Sequence, residues 1–394
     1  MLGQKLLPWD YGVRNLFRRP SRSVLTLGGL TIVVLLVLVV VGFIRGLEKS
    51  LAATGNPNVV LVYALSSGAD IENSSIPGRS PSLLAASVDG VRRRHGVEYV
   101  SPELYLATRI TASGMSEDAL SQGGMGLVRG VTTAAPLVRD KVQLLEGAWP
   151  QSGEVIVGRL AHSKLGAEEE DLAIGQQVSF DGQSWTISGT FVAAGSAFES
   201  EIWAPLADLQ TALKRQDLSM LAVAMDSPEG VADVDLFCRE RIDLELKAVS
   251  ESGYYAALQK HYKPVRMLGW VVVVLVAGSG IFAGLNTMYG AVVGRVRELA
   301  TLQALGFRRR AILLTLVQEA TLLACAGALV ACLIGLLLVD GTAVRFTMGA
   351  FMLSVDSVGI AVACGVAALL GVVGALPPAI KAMRLPIVEA IKAI

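Results

Sequence analysis

Residues 295–340 read RVRELATLQALGFRRR (295–310) and then AILLTLVQEATLLACAGALVACLIGLLLVD (311–340). Five arginines, Arg295, Arg297, Arg308, Arg309 and Arg310, fall within the first sixteen residues, and residues 320–339 then run for twenty positions without a charge. A helix needs about 20 apolar residues to cross a bilayer core of about 30 Å. Clustered arginine beside such a span marks a loop retained on the cytoplasmic side. This stretch therefore predicts a basic cytoplasmic loop running into a membrane helix.

The totals agree. The 394 residues are 53% hydrophobic and 17% charged, with a mean hydropathy of +0.54, values of an integral membrane protein. The net charge of zero hides two unlike regions. Residues 45–266 hold 20 basic and 28 acidic side chains, and the remainder holds 14 and 6. An acidic block between basic membrane flanks predicts export of the block and retention of the flanks.

Working outward, residues 1–22 interleave Lys5, Arg14, Arg18, Arg19 and Arg22 with Trp9, Tyr11 and Phe17, the pattern of a cytoplasmic interfacial amphipathic helix. Residues 23–44 form an uncharged first span, longer than the 7–15-residue apolar core of a signal peptide. The second span is 267–294, the third 311–339 and the fourth 357–380. They are joined by the cytoplasmic coupling loop 295–310 and a short periplasmic loop, 340–356, and residues 381–394 form a cytoplasmic tail. Gly280 and Gly284 in the second span, and Ala363, Ala367, Gly371 and Ala375 in the fourth, recur at four-residue intervals that let helix backbones approach closely.

The block 45–266 carries mixed signals. Strands are expected at 58–63, 97–111, 154–157, 177–180, 184–192 and 218–224, with Asp181 and Gly182 as a hairpin turn and Trp203 closing a further strand. Helices are expected at 80–95, capped by Ser80 ahead of Pro81, at 206–214 and from Pro228 to 241. Residues 66–79 and 112–126 read as mobile loops. Residues 250–266 predict a stalk helix running into the second span, kinked at Pro264 and partnered by residues 45–54. The fold class expected is an α-helical membrane protein with four transmembrane helices and a mixed α/β extracytoplasmic domain inserted between helices 1 and 2.

Catalytic signatures are missing. The sequence has no G-x-x-x-x-G-K-[ST], no H-E-x-x-H and no G-x-S-x-G. His95, His162 and His261 are scattered. Of the four cysteines only Cys238 lies in the exported block, which leaves no intrachain disulfide there. Glu319 is the one ionisable residue well inside a span, about 13 Å along the helix from Arg310. A lone acid cannot line a polar route through four apolar helices, so its expected role is structural or coupling. The loop itself reads as a short helix ended by Gly306 in a left-handed conformation. Arg295, Arg297, Glu298, Leu299, Leu302, Leu305, Gly306 and Arg309 are its candidate docking residues, because a mere connector needs less apolar surface.

At this loop the chain resembles the FtsX-like permease domain of MacB-type ABC transporters, the type VII mechanotransmission family. The resemblance rests on Arg297-Glu298-Leu299, Ala304-Leu305-Gly306, Arg309-Arg310, Ile312-Leu313, Glu319-Ala320 and Gly327. Arg14-Asn15-Leu16-Phe17-Arg18-Arg19, the tail Leu385-Pro386-Ile387-Val388-Glu389-Ala390-Ile391, Val100-Ser101-Pro102 and Phe198-Glu199-Ser200-Glu201-Ile202-Trp203 are similar to other parts of the same family. The resemblance implies a non-catalytic permease in the cell inner membrane, with both termini cytoplasmic and the large domain in the periplasm. It implies no cofactor in this chain, ATP and Mg belonging to a separate P-loop ABC ATPase subunit. It implies a second permease copy or homologue and, in tripartite systems, a periplasmic adaptor and an outer-membrane channel; no nucleic acid is involved. Its expected work is export of a periplasmic or outer-leaflet substrate: lipid, lipoprotein, peptide or drug-like. A regulatory permease controlling cell-wall hydrolases, a lipoprotein-release subunit and a ligand-sensing receptor are the alternatives.

Overall fold

Four helices among the described residues are long and apolar enough to cross a membrane. Span 1 is Pro20–Thr54 and span 2 is Lys263–Val293. Span 3 is Arg309–Ile334 continued by a π-helical turn at Gly335–Val339, and span 4 is Ser357–Arg384. The structure, a computed structural model, describes residues 16, 20–68, 70–113, 124–346 and 349–384. The expected interfacial helix at 1–22 therefore lies outside the described residues except for Leu16 and the residues from Pro20 that already begin span 1, and the tail beyond Arg384 lies outside them altogether. The chain divides into a membrane unit, Met1–Arg45 with Pro264–Thr342 and Leu353–Ile394, and a second unit, Gly46–Lys263 with Ala343–Met352.

Small residues carry the packing in the membrane unit, where lipid tails give apolar side chains no reason of their own to leave them. A Cβ on Gly371 would lie 2.9 Å from Thr321 Cα and 3.1 Å from Ala324 Cβ, so spans 3 and 4 touch almost backbone to backbone. Ala363, Ala367 and Ala375 are buried on the same face. Gly280 faces Val33 and Leu370, and Gly284 faces Gly374. The two aspartates between spans 3 and 4 are used at the helix ends: Asp340 Oδ1 accepts from Val355 N (2.8 Å) and Asp356 Oδ1 from Gly359 N (2.9 Å). Arg45 Nε donates to Asp356 Oδ2 at 2.8 Å.

Among the described residues the second unit is built on fourteen strands: β1 Val59–Ala64, β2 Arg93–Arg94, β3 Val97–Glu98, β4 Val100–Ala112, β5 Gly124–Val131, β6 Gln143–Gly147, β7 Glu154–Gly158, β8 Gln177–Phe180, β9 Gln183–Val192, β10 Ile202–Pro205, β11 Met220–Ala224, β12 Leu246–Ser250, β13 Ala343–Phe346 and β14 Gly349–Met352. Its helices are α1 Ser80–Ser87, α2 Ala135–Val138, α3 Ala161–Leu165, α4 Leu206–Leu213, α5 Val231–Glu240 and α6 Glu251–His261. Strands β12-β1-β11-β4 form an antiparallel sheet. The pairings β4–β5, β5–β10, β10–β7, β7–β9, β9–β8 and β8–β4 close a six-stranded ring, with β6 laid on β9. The thirteen-residue β4 belongs to both. It pairs β11 through Val100–Glu103 and then β5 from Leu104. The ring and sheet share one apolar core that includes Val62, Leu104, Val128, Ile187 and Leu221.

Several expectations are corrected. The domain is not only an insertion between spans 1 and 2, because the loop expected at 340–356 folds as the β13–β14 hairpin and joins it. Arg345 Nε donates to Ser163 O (2.6 Å), Lys164 Nζ donates to Phe346 O (3.2 Å), and the Phe346 ring meets Tyr262 edge-on at 5.1 Å. The helix expected to reach His95 stops at Ser87; Ser80 is within it, its Oγ unbonded among the described residues, and makes no cap. His95 and Gly96, both at positive φ, instead turn the β2–β3 hairpin. Residues 66–79 are anchored by the buried Ile71 and Ile76 and by Ala64 N donating to Ser74 Oγ (2.9 Å). Residues 124–126, read as loop, begin β5, and 114–123 lie outside the described residues. The stalk helix is interrupted at Tyr262, with Pro264 in the first turn of span 2, since proline has no N–H to extend the helix behind it. Residues 45–54 do meet α6: Gln259 Nε2 donates to Glu48 O at 3.4 Å, and Gly55 lies against Ser252.

Candidate functional site

The loop after span 2 forms helix α7, Val296–Ala304. Its start is fixed by one ion pair. Arg295 donates from Nη2 to Glu319 Oε1 (2.8 Å) and from Nη1 to Glu319 Oε2 (3.1 Å), a two-pronged contact of two buried side chains. Planar guanidinium and carboxylate match in this geometry, which fixes direction as well as distance. Glu319 thus has its charge met by an arginine at the end of span 2, which explains how an acid is held within span 3. The end of α7 is set by Gly306 at φ 91°, whose N–H donates to Gln303 O (3.0 Å), while Phe307 N donates to Leu302 O (3.1 Å).

One face of α7 is spent on the bundle. Leu299 and Ala300 are buried, Leu299 among Val292, Ile312, Leu316, Ala379 and Met383, with Leu302 and Phe307 partly covered beside them. Gln303 Nε2 donates to Met383 Sδ at 3.4 Å. The opposite face carries Arg297, Glu298, Thr301 and Leu305, all exposed, and continues into exposed Arg308, Arg309 and Arg310. Of the expected docking residues, Leu299 and Arg295 are thus turned inward, Leu302 is intermediate, and Arg297, Glu298, Leu305, Gly306 and Arg309 are presented outward.

The second unit holds a buried charge chain that sequence reading did not find. Glu103, the residue where β4 leaves the sheet for the ring, accepts from Arg129 Nη1 on β5 and from Arg139 Nη2 (3.2 Å). Arg129 Nε also donates to Glu201 Oε2 (2.6 Å), which accepts from Trp203 Nε1 (2.8 Å) as well. Arg139 Nη1 pairs with Glu251 at the first turn of α6, and Glu251 Oε2 accepts from Asn56 N (3.0 Å) just beyond span 1. The Arg129 guanidinium lies 4.2 Å from the Tyr105 ring centroid and 4.8 Å from that of Phe198. All five charged side chains are at most 5% exposed. Burial alone would push the Glu103 carboxyl up, but Arg139 and Arg129 together outweigh it and hold it below its ordinary value. The chain therefore links Asn56 and Glu251, the latter in the first turn of α6, to ring strand β5 and to Glu201 immediately before β10.

The model of the MacB-like periplasmic core domain matches residues 23–235, more than half of the sequence, and that of the FtsX-like permease C-terminal region matches residues 270–387. The chain belongs to the FtsX/MacB-type family of ABC transporter permeases. It is 23% identical over 401 residues to the macrolide export ATP-binding/permease protein MacB of Hahella chejuensis, covering 94% of this chain and 57% of that one. It is 23% identical over 415 residues to the uncharacterized ABC transporter permease YvrN of Bacillus subtilis, covering 96% and 97%. Among solved structures, the periplasmic region of MacB from Actinobacillus actinomycetemcomitans aligns at a TM-score of 0.39 and 11% identity, covering 54% of this chain and 97% of that one. The extracellular domain of the transporter YknZ from Gram-positive bacteria gives a TM-score of 0.36 at 15% identity, covering 49% and 100%.

In this permease the motif Phe198-Glu199-Ser200-Glu201-Ile202-Trp203 supplies two buried carboxylates. Glu201 is in the charge chain. Glu199 Oε1 accepts from Ala193 N (2.9 Å) and Gly195 N (2.8 Å), and its Oε2 accepts from Arg159 (3.0 Å). A signal was legible: two acids in a segment otherwise reading as an apolar strand end imply buried cationic partners. Among the described residues no group of three or more His, Cys, Asp or Glu side chains could hold a metal ion.

Proposed function

We propose that this chain is the membrane subunit of an ABC transporter and is driven by a separate ATPase subunit that docks on α7 from the cytoplasm. The observation that carries the reading is the two-faced α7: an apolar face locked onto spans 3 and 4 through Leu299 and the Arg295–Glu319 pair, and a charged face turned outward. These 394 residues hold no G-x-x-x-x-G-K-[ST] sequence, so nucleotide hydrolysis is supplied from outside them. YvrN, named as an uncharacterized ABC transporter permease and matched over 97% of its length, supports the permease reading. On this reading both ends of the chain are cytoplasmic and the β-rich unit works in the periplasm. There it acts on a lipid, lipoprotein, peptide or drug-like substrate, with an adaptor and outer-membrane channel as further partners. The packing of Val34, Leu38, Ala324, Ala328, Ala331, Ala363 and Ala367 in the bundle is apolar, which supports handling of the substrate outside the bundle.

The test is co-purification of full-length chain with its ATPase. Leu305→Asp and Arg309→Glu change only the exposed face and are expected to abolish co-purification while membrane insertion and yield persist. Leu299→Asp is the control and is expected to lower yield, because it places a charge inside the bundle. Undiminished ATPase recovery with both outward substitutions refutes the docking role.

A further inference from the structure

Two cations at the α7 end of the bundle meet no acid. Lys381 and Arg384, in the last turn of span 4, are exposed and form no ion pair among the described residues. Lys381 Nζ lies 4.9 Å from the ring centroid of Tyr289, near the end of span 2. An ammonium over a tyrosine face keeps N–H groups free to donate away from the ring. Two turns before this contact Gly284 meets Gly374, so the two spans run close together here. At roughly 100° per residue, Pro377, Lys381 and Arg384 fall within about 60° of one another on span 4, and Phe282 and Tyr289 within about 20° on span 2. All five are exposed, and the Lys381–Tyr289 contact brings the two flanks to the same side.

Depth decides what lies on this side. Span 4 starts at Ser357, and Lys381 is about 36 Å along the helix from it, against a hydrocarbon core of about 30 Å. Its charge therefore falls in the headgroup layer. Phe282 lies about 10 Å further in than Tyr289, at the level of the acyl chains. A groove that is apolar at depth and ends in two donors without a counter-ion is complementary to a phosphodiester on a diacyl tail. Phosphatidylcholine and phosphatidylethanolamine carry a cation of their own beside the phosphate, whereas phosphatidylglycerol carries none, so the charge favours an anionic lipid. We infer that Lys381 and Arg384 hold the headgroup phosphate of one anionic phospholipid, with Tyr289 fixing the lysine and an acyl chain lying along Phe282 and Pro377. The inference takes from the proposed function only that these spans cross a bilayer.

The test is native mass spectrometry of delipidated full-length chain in detergent, titrated with dioleoyl phosphatidylglycerol or dioleoyl phosphatidylcholine. Phosphatidylglycerol is expected to bind in clear preference. Lys381→Gln and Arg384→Gln are each expected to weaken its binding roughly five-fold, and together to erase the preference. Tyr289→Phe keeps the ring face and should retain the binding, while Tyr289→Leu should weaken it. Arg308→Gln with Arg310→Gln, equally exposed at the same end of the bundle, should leave it unchanged. Equal binding of the two lipids, an equal loss in the Arg308 and Arg310 variant, or displacement of the lipid by millimolar inorganic phosphate overturns the site. A chain that keeps the phosphatidylglycerol preference yet recruits no ATPase refutes the functional reading and leaves this one standing.

Discussion

Removing Arg129 should cost more than removing any carboxylate it holds. The buried chain contains three glutamates, Glu103, Glu201 and Glu251, and two arginines, Arg129 and Arg139. It thus carries one negative charge in excess. Arg129→Met raises the excess to two and leaves Glu201 with Trp203 Nε1 as its one remaining partner among the bonds described above. Stripping a buried ion of its counter-ion costs about 3–5 kcal/mol. For a unit of this size, about 1 kcal/mol shifts the melting temperature by about 2–4 °C, so a loss of about 6–20 °C is expected. Glu103→Gln instead neutralises the excess, keeps an acceptor for Arg139 and leaves Arg129 paired to Glu201, and should cost less than half as much. The assay is thermal unfolding of the full-length protein in lipid nanodiscs, followed by the fluorescence of Trp203 and Trp149, whose rings meet edge-on at 6.4 Å. A Glu103→Gln protein less stable than Arg129→Met would refute the charge count.

The same chain sets an acid limit. Glu103 has its folded-state pKa lowered, so its stabilisation is fully present above its unfolded value, about 4.3, and is lost as pH falls through the lower folded value. Melting temperature is therefore expected to hold from neutral pH to about 5 and to fall below about 4, less steeply in Glu103→Gln. An unaltered acid limb in that variant would remove Glu103 from the explanation.

In the membrane unit, Arg295→Gln and Glu319→Gln alone should each lower the thermal stability of detergent-solubilised protein by about 3–5 kcal/mol, the double variant with Arg295→Met and Glu319→Leu by much less, as read by size-exclusion recovery after heating. Gly166→Ala places a Cβ on the Arg345 guanidinium at a φ of +75°, and should raise hydrogen exchange of the β13–β14 hairpin; adding Arg345→Ala should restore the stability lost to the clash but not the hairpin's protection. Burial pushes the Cys238 thiol up to about 12, so maleimide at pH 7.5 should label it only after unfolding, checked by peptide mass.

The spans and the basic loop were legible because each is written in consecutive residues: twenty uncharged positions, five arginines in sixteen. The Asp181–Gly182 hairpin was legible for the same reason, and both residues take the positive φ that such a turn needs. What was missed is non-local. Arg129 meets Glu103 across 26 residues and Glu201 across 72, and no local pattern links them. Its strand was obscured as well, since GMGLVRGV looks like a flexible segment. The glycines are there for crowding: a Cβ on Gly126 would lie 2.6 Å from Ile110 Cδ1, and one on Gly130 3.0 Å from Leu209 Cδ2. The β13–β14 hairpin was missed because the seventeen residues 340–356 between two spans are compatible with a plain loop, and what ties them to the second unit is Arg345 reaching Ser163, 182 positions away.

The Arg295–Glu319 pair bears on how α7 can move. A helix joined to a bundle only by apolar contact can slide, because such contacts have no preferred direction. A bidentate buried pair cannot: rotating Arg295 away exposes a carboxylate within span 3 to an apolar surrounding, at about 3–5 kcal/mol. Leu299, packed with Ile312 and Met383 one turn along α7, adds apolar burial, but the direction is set by the ion pair. On the proposed docking role, a push on the exposed Arg297–Leu305 face would be passed to span 3 through the Arg295–Glu319 pair. Neutralising Arg295 and Glu319 together should therefore leave the fold standing while freeing α7 to shift against span 3.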